Sequence, residues 1–170
     1  MSIIDLTTIL GNLAQSLLSI ERLVEGLGYM LGIGFVISGL VRLTKINKYS
    51  HDGPSAPLAN ILGGAVLIFL PSAANVMSNT FFGTSNILAY ANYSRFNFYD
   101  SMGVLIQTAG IIWFVRGAVL LVHASEPGKQ KGFKGFLFVI AGVFAMNFAL
   151  TVSALNTLFA YFIGITGKFF

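Results

Sequence analysis

The residues of this chain with a capacity for chemistry are few, and most lie inside apolar stretches. Arg116 is the one charge in residues 102–122. It stands about six residues, or roughly 9 Å, from the near end of that run. A guanidinium at such depth can snorkel toward the interface, form a fixed positive ring if several copies surround an axis, or pair with a partner's carboxylate. Uncharged polar side chains collect toward one end of these stretches, at Ser72, Asn75, Asn79, Gln107, Thr108, Asn147, Thr151, Ser153 and Asn156. Ser72, Asn75 and Asn79 follow the i, i+3, i+7 spacing of one helical face. Hydrocarbon offers an amide no partner, so these groups either hydrogen-bond between helices or line a wet path shared by several subunits.

Residues suited to catalysis do not cluster. His51 and His123 fall singly in separate predicted loops, and no cysteine is present, which removes disulfide, thiolate-metal and thiol chemistry. No nucleophile with its base and no paired carboxylates stand at useful spacing, so neither an enzymatic activity nor a metal or cofactor is expected. Gly32-Ile33-Gly34 lies within an apolar run with no strand before it, unlike a nucleotide-binding turn.

The elements that hold these residues follow from hydropathy. Crossing about 30 Å of hydrocarbon takes roughly 20 apolar residues, and four runs qualify: 23–43, 58–82, 102–122 and 136–164. A mean hydropathy of +0.80 with 9% charged residues leaves too little polar surface to cover a soluble globule. The sequence therefore predicts an all-α integral membrane protein whose four transmembrane helices form two tandem hairpins. Residues 1–22 precede the first hairpin (23–82), an aromatic connection (83–101) leads to the second (102–164), and a short tail (165–170) ends the chain. Within 1–22, Leu6, Ile9, Leu10, Leu13, Leu17 and Ile20 recur at helical spacing opposite Thr8, Asn12, Gln15 and Ser19. That pattern predicts an amphipathic helix, lying on the membrane surface or packed on the bundle or a neighbouring subunit. No basic segment precedes the first apolar run, so a cleaved signal peptide is not expected.

The formal charge of +4 reflects topology rather than nucleic-acid binding, which is not expected. Six of the ten basic residues flank two loops: Arg42, Lys45 and Lys48 in the first, Lys129, Lys131 and Lys134 in the second. Short basic loops stay in the cytoplasm, so both hairpin tips should point inward, with both termini and the aromatic connection on the periplasmic side. Gly83, just after Phe82, suits a helix stop, and Pro71 should kink the second span at its middle.

The second half copies the first. A shift of 78 residues lays Gly32 on Gly110, Ile33 on Ile111, Gly39 on Gly117 and Val41 on Val119, and a shift of 77 lays Asn79-Thr80 on Asn156-Thr157. Gly28 and Gly32 form a Gly-xxx-Gly pair, and Gly34 with Ser38 repeats the spacing, so close helix packing is expected at Gly28, Gly32 and Gly34. Parallel repeats of this kind occur in some transporters.

Three segments carry a family resemblance: 82–90 (Phe-Gly-Thr-Ser-Asn-Ile-Leu-Ala-Tyr), the stretch from Ile106-Gln107-Thr108 to Phe114-Val115-Arg116-Gly117, and Ala145-Met146-Asn147. In these the chain resembles the IcmC/DotE proteins of the Dot/Icm type IVB secretion system and the TraQ-like proteins of related conjugation systems, over about residues 13–159. The first half, through Gly34 to Leu43 and Phe69-Leu70-Pro71, is also similar to the single-hairpin IcmD/DotP proteins. The charged loop tips and the last six residues have no counterpart. The resemblance implies a bacterial inner-membrane subunit of a machine that exports effectors or transfers DNA, assembled with other membrane subunits, as a homo- or hetero-oligomer and without catalytic residues. The residues by themselves leave open a small transporter or ion channel and a pilin-like polymerising subunit.

Overall fold

The computed structural model describes residues 6–46, 55–83, 97–124 and 132–166, and every regular element among them is helical. These elements are α1 (Leu6–Thr44), α2 (Ser55–Ile68), α3 (Leu70–Phe82), α4 (Phe98–Ala124), α5 (Gly132–Met146) and α6 (Phe148–Thr166). By length and apolarity α1 and α4 could each cross a membrane, and so could α2 with α3 or α5 with α6 if each bent pair counts as one span. Lys48, Lys129, Lys131 and most of the aromatic connection lie outside the described residues.

The predicted boundary between an N-terminal helix and the first span is absent, because α1 runs unbroken for 39 residues. Its buried positions Gly11, Ala14, Glu21, Gly28, Gly32 and Gly39 fall on one seam at intervals of three, four or seven, and no proline interrupts it. Leu6, Ile9, Leu13 and Ile20, which the sequence marks as the apolar face, point away from the bundle. In lipid the burial rule inverts: large apolar side chains can face the hydrocarbon, while small residues let backbones meet.

Each half is a long helix packed antiparallel to the first limb of a broken pair. A Cβ at Gly32 would stand 2.7 Å from the Gly64 carbonyl oxygen, and one at Gly39 would stand 2.9 Å from that of Pro57. The second half repeats this with Gly110 against Gly142, at 2.9 Å, and Gly117 against Gly135, at 2.8 Å. All four contacts obey the 78-residue shift, which thus describes two copies of one crossing. Gly28 adds ordinary contact with Leu67, but Gly34 faces open space, since two residues turn about 200° around a helix from Gly32.

The second and fourth runs are not continuous spans. The chain bends by 93° between α2 and α3, at Phe69, and by 95° between α5 and α6, at Asn147, again 78 residues apart. Pro71, in the first turn of α3, has no N–H to offer the Leu67 carbonyl, and its ring crowds that group. The expected kink is therefore a full corner, two residues upstream of the proline. At its far end α3 stops where expected: Gly83 takes φ 80°, and its N–H donates to the Asn79 carbonyl at 2.9 Å.

Leu67, Leu70 and Ala74 from the first corner pack with Ile111, Phe114 and Ala118 of α4 and Val139, Val143 and Met146 of α5. This cluster joins the halves, and Phe114 is its largest fully buried side chain.

Candidate functional site

Apart from Asn60, which is buried within the first half, the polar groups that the fold brings inside lie on the seam between the two halves. α1 and α4 run parallel along it, because contacts advance together on both: Glu21 meets Thr108, Gly28 lies near Val115, and Phe35 meets His123 edge-on at 5.8 Å. Glu21 is 1% exposed. Its Oε1 lies 2.7 Å from the Thr108 hydroxyl, which also lies 2.8 Å from the Val104 carbonyl and has one proton to share between them. Glu21 Oε2 and Ser101 Oγ are buried without a hydrogen-bond partner among the described residues. Ser101 stands seven residues before Thr108, on the same face of α4. Burying such oxygens without partners costs about 1–3 kcal/mol each, and more for a charged group.

At the second corner the polar chemistry is fully coupled. The Ser78 hydroxyl of α3 donates to Asn147 Oδ1 at 2.9 Å, tying the first half to the second. Asn147 Nδ2 donates to the Val143 carbonyl at 2.8 Å, and the Thr151 hydroxyl donates to the Phe144 carbonyl at 2.8 Å. Both carbonyls belong to the last turn of α5; the Val143 carbonyl also keeps the Asn147 backbone N–H at 3.1 Å, while the Phe144 carbonyl is capped by the Thr151 side chain. Asn147 and Thr151 thus hold open a break that contains no proline. Phe144 also receives Phe81 and Phe82 at ring distances of 5.4 and 5.7 Å.

The candidates from sequence separate into three groups. Asn147 and Thr151 are fasteners at the corner, and Gly28, Gly32 and Pro71 shape the first hairpin. Ser72 and Asn79 are exposed and Asn75 is half-buried, because the face that α3 buries carries Leu70, Ala74 and Ser78. Gln107 is half-buried beside the buried Thr108, and Asn156 is exposed on α6. Of the residues expected to line one path, Ser72, Asn79 and Asn156 thus lie on the surface of the single chain.

Arg116 points outward from α4 with its guanidinium 5.1 Å from the Phe138 ring centroid. Its counterpart in the first half, Ser38, instead accepts a hydrogen bond from Asn60 Nδ2 at 3.3 Å. Asn60 is in turn the counterpart of Phe138. Arg42 and Lys45 close α1 and Lys134 opens α5, all exposed at one end of the molecule. His123, expected in a loop, lies in the last turn of α4 with Nδ1 2.8 Å from the Val119 carbonyl.

Glu21, Ser78 and the Gly64/Gly142 pair are the contact residues that the sequence reading misses. A signal for Glu21 exists in the seven-residue spacing Ala14, Glu21, Gly28, which puts an acid in a row of small seam residues. Gly64 and Gly142 also obey the 78-residue shift. Compared with known proteins, the chain matches no family model, no curated protein and no solved structure at a significant level.

Proposed function

We propose that this chain is a non-enzymatic, structural or channel-associated subunit of the bacterial inner membrane, working with other membrane subunits of a type IVB machine that exports effectors or transfers DNA. One observation carries the reading: the buried polar side chains fasten helix to helix. Ser78 with Asn147, Thr151 with Phe144, and Thr108 with Glu21 each stabilise a junction. Two of the three segments that resemble IcmC/DotE proteins touch helix junctions, since Gly117 lies in the second crossing, Arg116 beside it, and Asn147 in the second corner. In this reading the basic ends face the cytoplasm and both termini face the periplasm, because short Lys- and Arg-rich loops are retained inside. Arg116, outward-facing and without an acidic mate at its depth in the spans, serves contact with another subunit.

Affinity purification of the tagged chain from mildly solubilised membranes, followed by mass spectrometry, tests this. Other secretion-machine subunits should co-purify, and Arg116→Leu should leave the chain inserted while export falls. Recovery of a free-standing particle with full export by Arg116→Leu would refute the proposal.

A small cation or proton pathway is the second reading, favoured by Glu21 Oε2, a buried acidic oxygen without a partner at the interface of two parallel repeats. Flux through liposomes containing the purified chain, lost in Glu21→Gln, would shift the assignment to it.

A further inference from the structure

The interface between the two halves is heterologous, and an interface of that kind does not exhaust its own surfaces. Among the described residues α2 packs on α4 and α3 reaches α5, whereas the reciprocal pairs, α5 on α1 and α6 on α2, make no comparable packing. A pseudo-twofold relation would have produced both sets. The first half therefore uses one surface and the second half a different one, and each half keeps a copy of the surface it did not use.

The 78-residue shift identifies those spare copies. The Glu21–Thr108 contact maps onto Tyr99 and Met30, the Phe35–His123 contact onto Trp113 and Lys45, and the Phe81–Phe144 contact onto Phe159 and Val66. In a single chain four of these residues point outward: Tyr99 is 82% exposed, Met30 71%, Phe159 64% and Trp113 46%. Lys45 is exposed as well, and Val66 is partly buried. The mapped pairs are chemically compatible, with a thioether against an aromatic ring, an ammonium against an indole, and a ring against a branched aliphatic side chain.

We infer that copies of this chain associate head to tail, the second half of one docking on the first half of the next through the same contact that joins the halves within a chain. The occupant of the exposed seam is thus a second copy. The operation carries an axial step, since Glu21 meets Thr108, the counterpart of Met30, nine residues further along. Nine helical residues correspond to about 13 Å, so the relation is a screw that closes no flat ring. Each added copy stands further along the bilayer normal, and long growth requires leaving the membrane.

The absence of native cysteine makes the test direct. Met30→Cys and Tyr99→Cys would be expressed together on separately tagged full-length chains in native membranes and oxidised. Mixed dimers should form and single-tag dimers should not, while a chain carrying both substitutions should shift to dimers and longer species. Trp113→Cys with Lys45→Cys should behave in the same way. Dimers from Met30→Cys alone would mean a twofold contact and overturn the inference. So would the absence of mixed dimers for both pairs when all four thiols react with a maleimide.

Discussion

The two halves turn the same corner by different chemistry. At Phe69 a bend of 93° follows from Pro71, which withholds a backbone donor whatever surrounds it. At Asn147 a bend of 95° rests on side chains: Asn147 adds its amide to a Val143 carbonyl that keeps its backbone donor, Thr151 caps the Phe144 carbonyl, and Ser78 from the other half anchors Asn147. The first corner originates locally, at the proline, with Ser78, Phe81 and Phe82 bracing it, whereas the second depends on tertiary contact alone. The crossings show the same division, because glycine-to-backbone contact is common to both while the flanking pair changes from Ser38 and Asn60 to Arg116 and Phe138. What the duplication retains is backbone geometry, and what it leaves free is the means of stabilising it.

The largest test of that equivalence lies in the crossings. Gly64→Leu and Gly142→Leu both force a side chain into backbone, at 2.7 and 2.8 Å for the first added carbon. Each should cost about 3 kcal/mol or more and strip most folded protein from the membrane, whereas Gly34→Leu should be neutral. Abundance and unfolding midpoints in detergent measure this. A large loss from one glycine of the pair and not the other would break the symmetry.

At the corners, the double substitution Asn147→Leu with Thr151→Val should let α5 and α6 straighten, at a cost of about 2–4 kcal/mol from Ser78 and the Phe144 carbonyl losing their partners. Spin labels on either side of the corner should move apart. Pro71→Ala should have a smaller effect, since Ser78, Phe81 and Phe82 still hold α3 to the second half. Equal straightening at both corners would contradict the local-against-tertiary distinction.

Along the seam, Thr108→Val leaves both Glu21 oxygens without the hydroxyl and should lower stability by about 1–3 kcal/mol. Chemical denaturation in detergent reads this, and no change would mean that Glu21 is solvated in the membrane. The smallest effect belongs to Arg116→Leu, because an exposed cation–π contact is worth about 0.5–1 kcal/mol. Its unfolding midpoint should barely move while export falls.

The repeat and its glycines are legible in the sequence because backbone contact tolerates nothing larger, so Gly32/Gly110 and Gly39/Gly117 recur at fixed spacing. Pro71 and Gly83 are legible because their backbone chemistry is intrinsic. The second corner is not, since Asn147 breaks a helix only in company with Thr151 and a serine 69 residues away. The continuity of α1 is obscured by periodicity itself, which gathers Leu6, Ile9, Leu13 and Ile20 on one apolar face and so suggests a separate amphipathic helix, when they are the outward face of one long helix. Glu21 reads as a charge outside the spans until α4 covers it.

The corners also shorten what each half presents across a bilayer. α2 and α5 have 14 and 15 residues before they turn, about 21–22 Å at 1.5 Å per residue, against about 30 Å of hydrocarbon. Beside them the acyl chains must compress, at fractions of a kcal/mol for every ångström of mismatch. Thinned lipid should therefore gather beside α2 and α5, while α1 and α4, at 39 and 27 residues, exceed the hydrocarbon and must tilt or project from it.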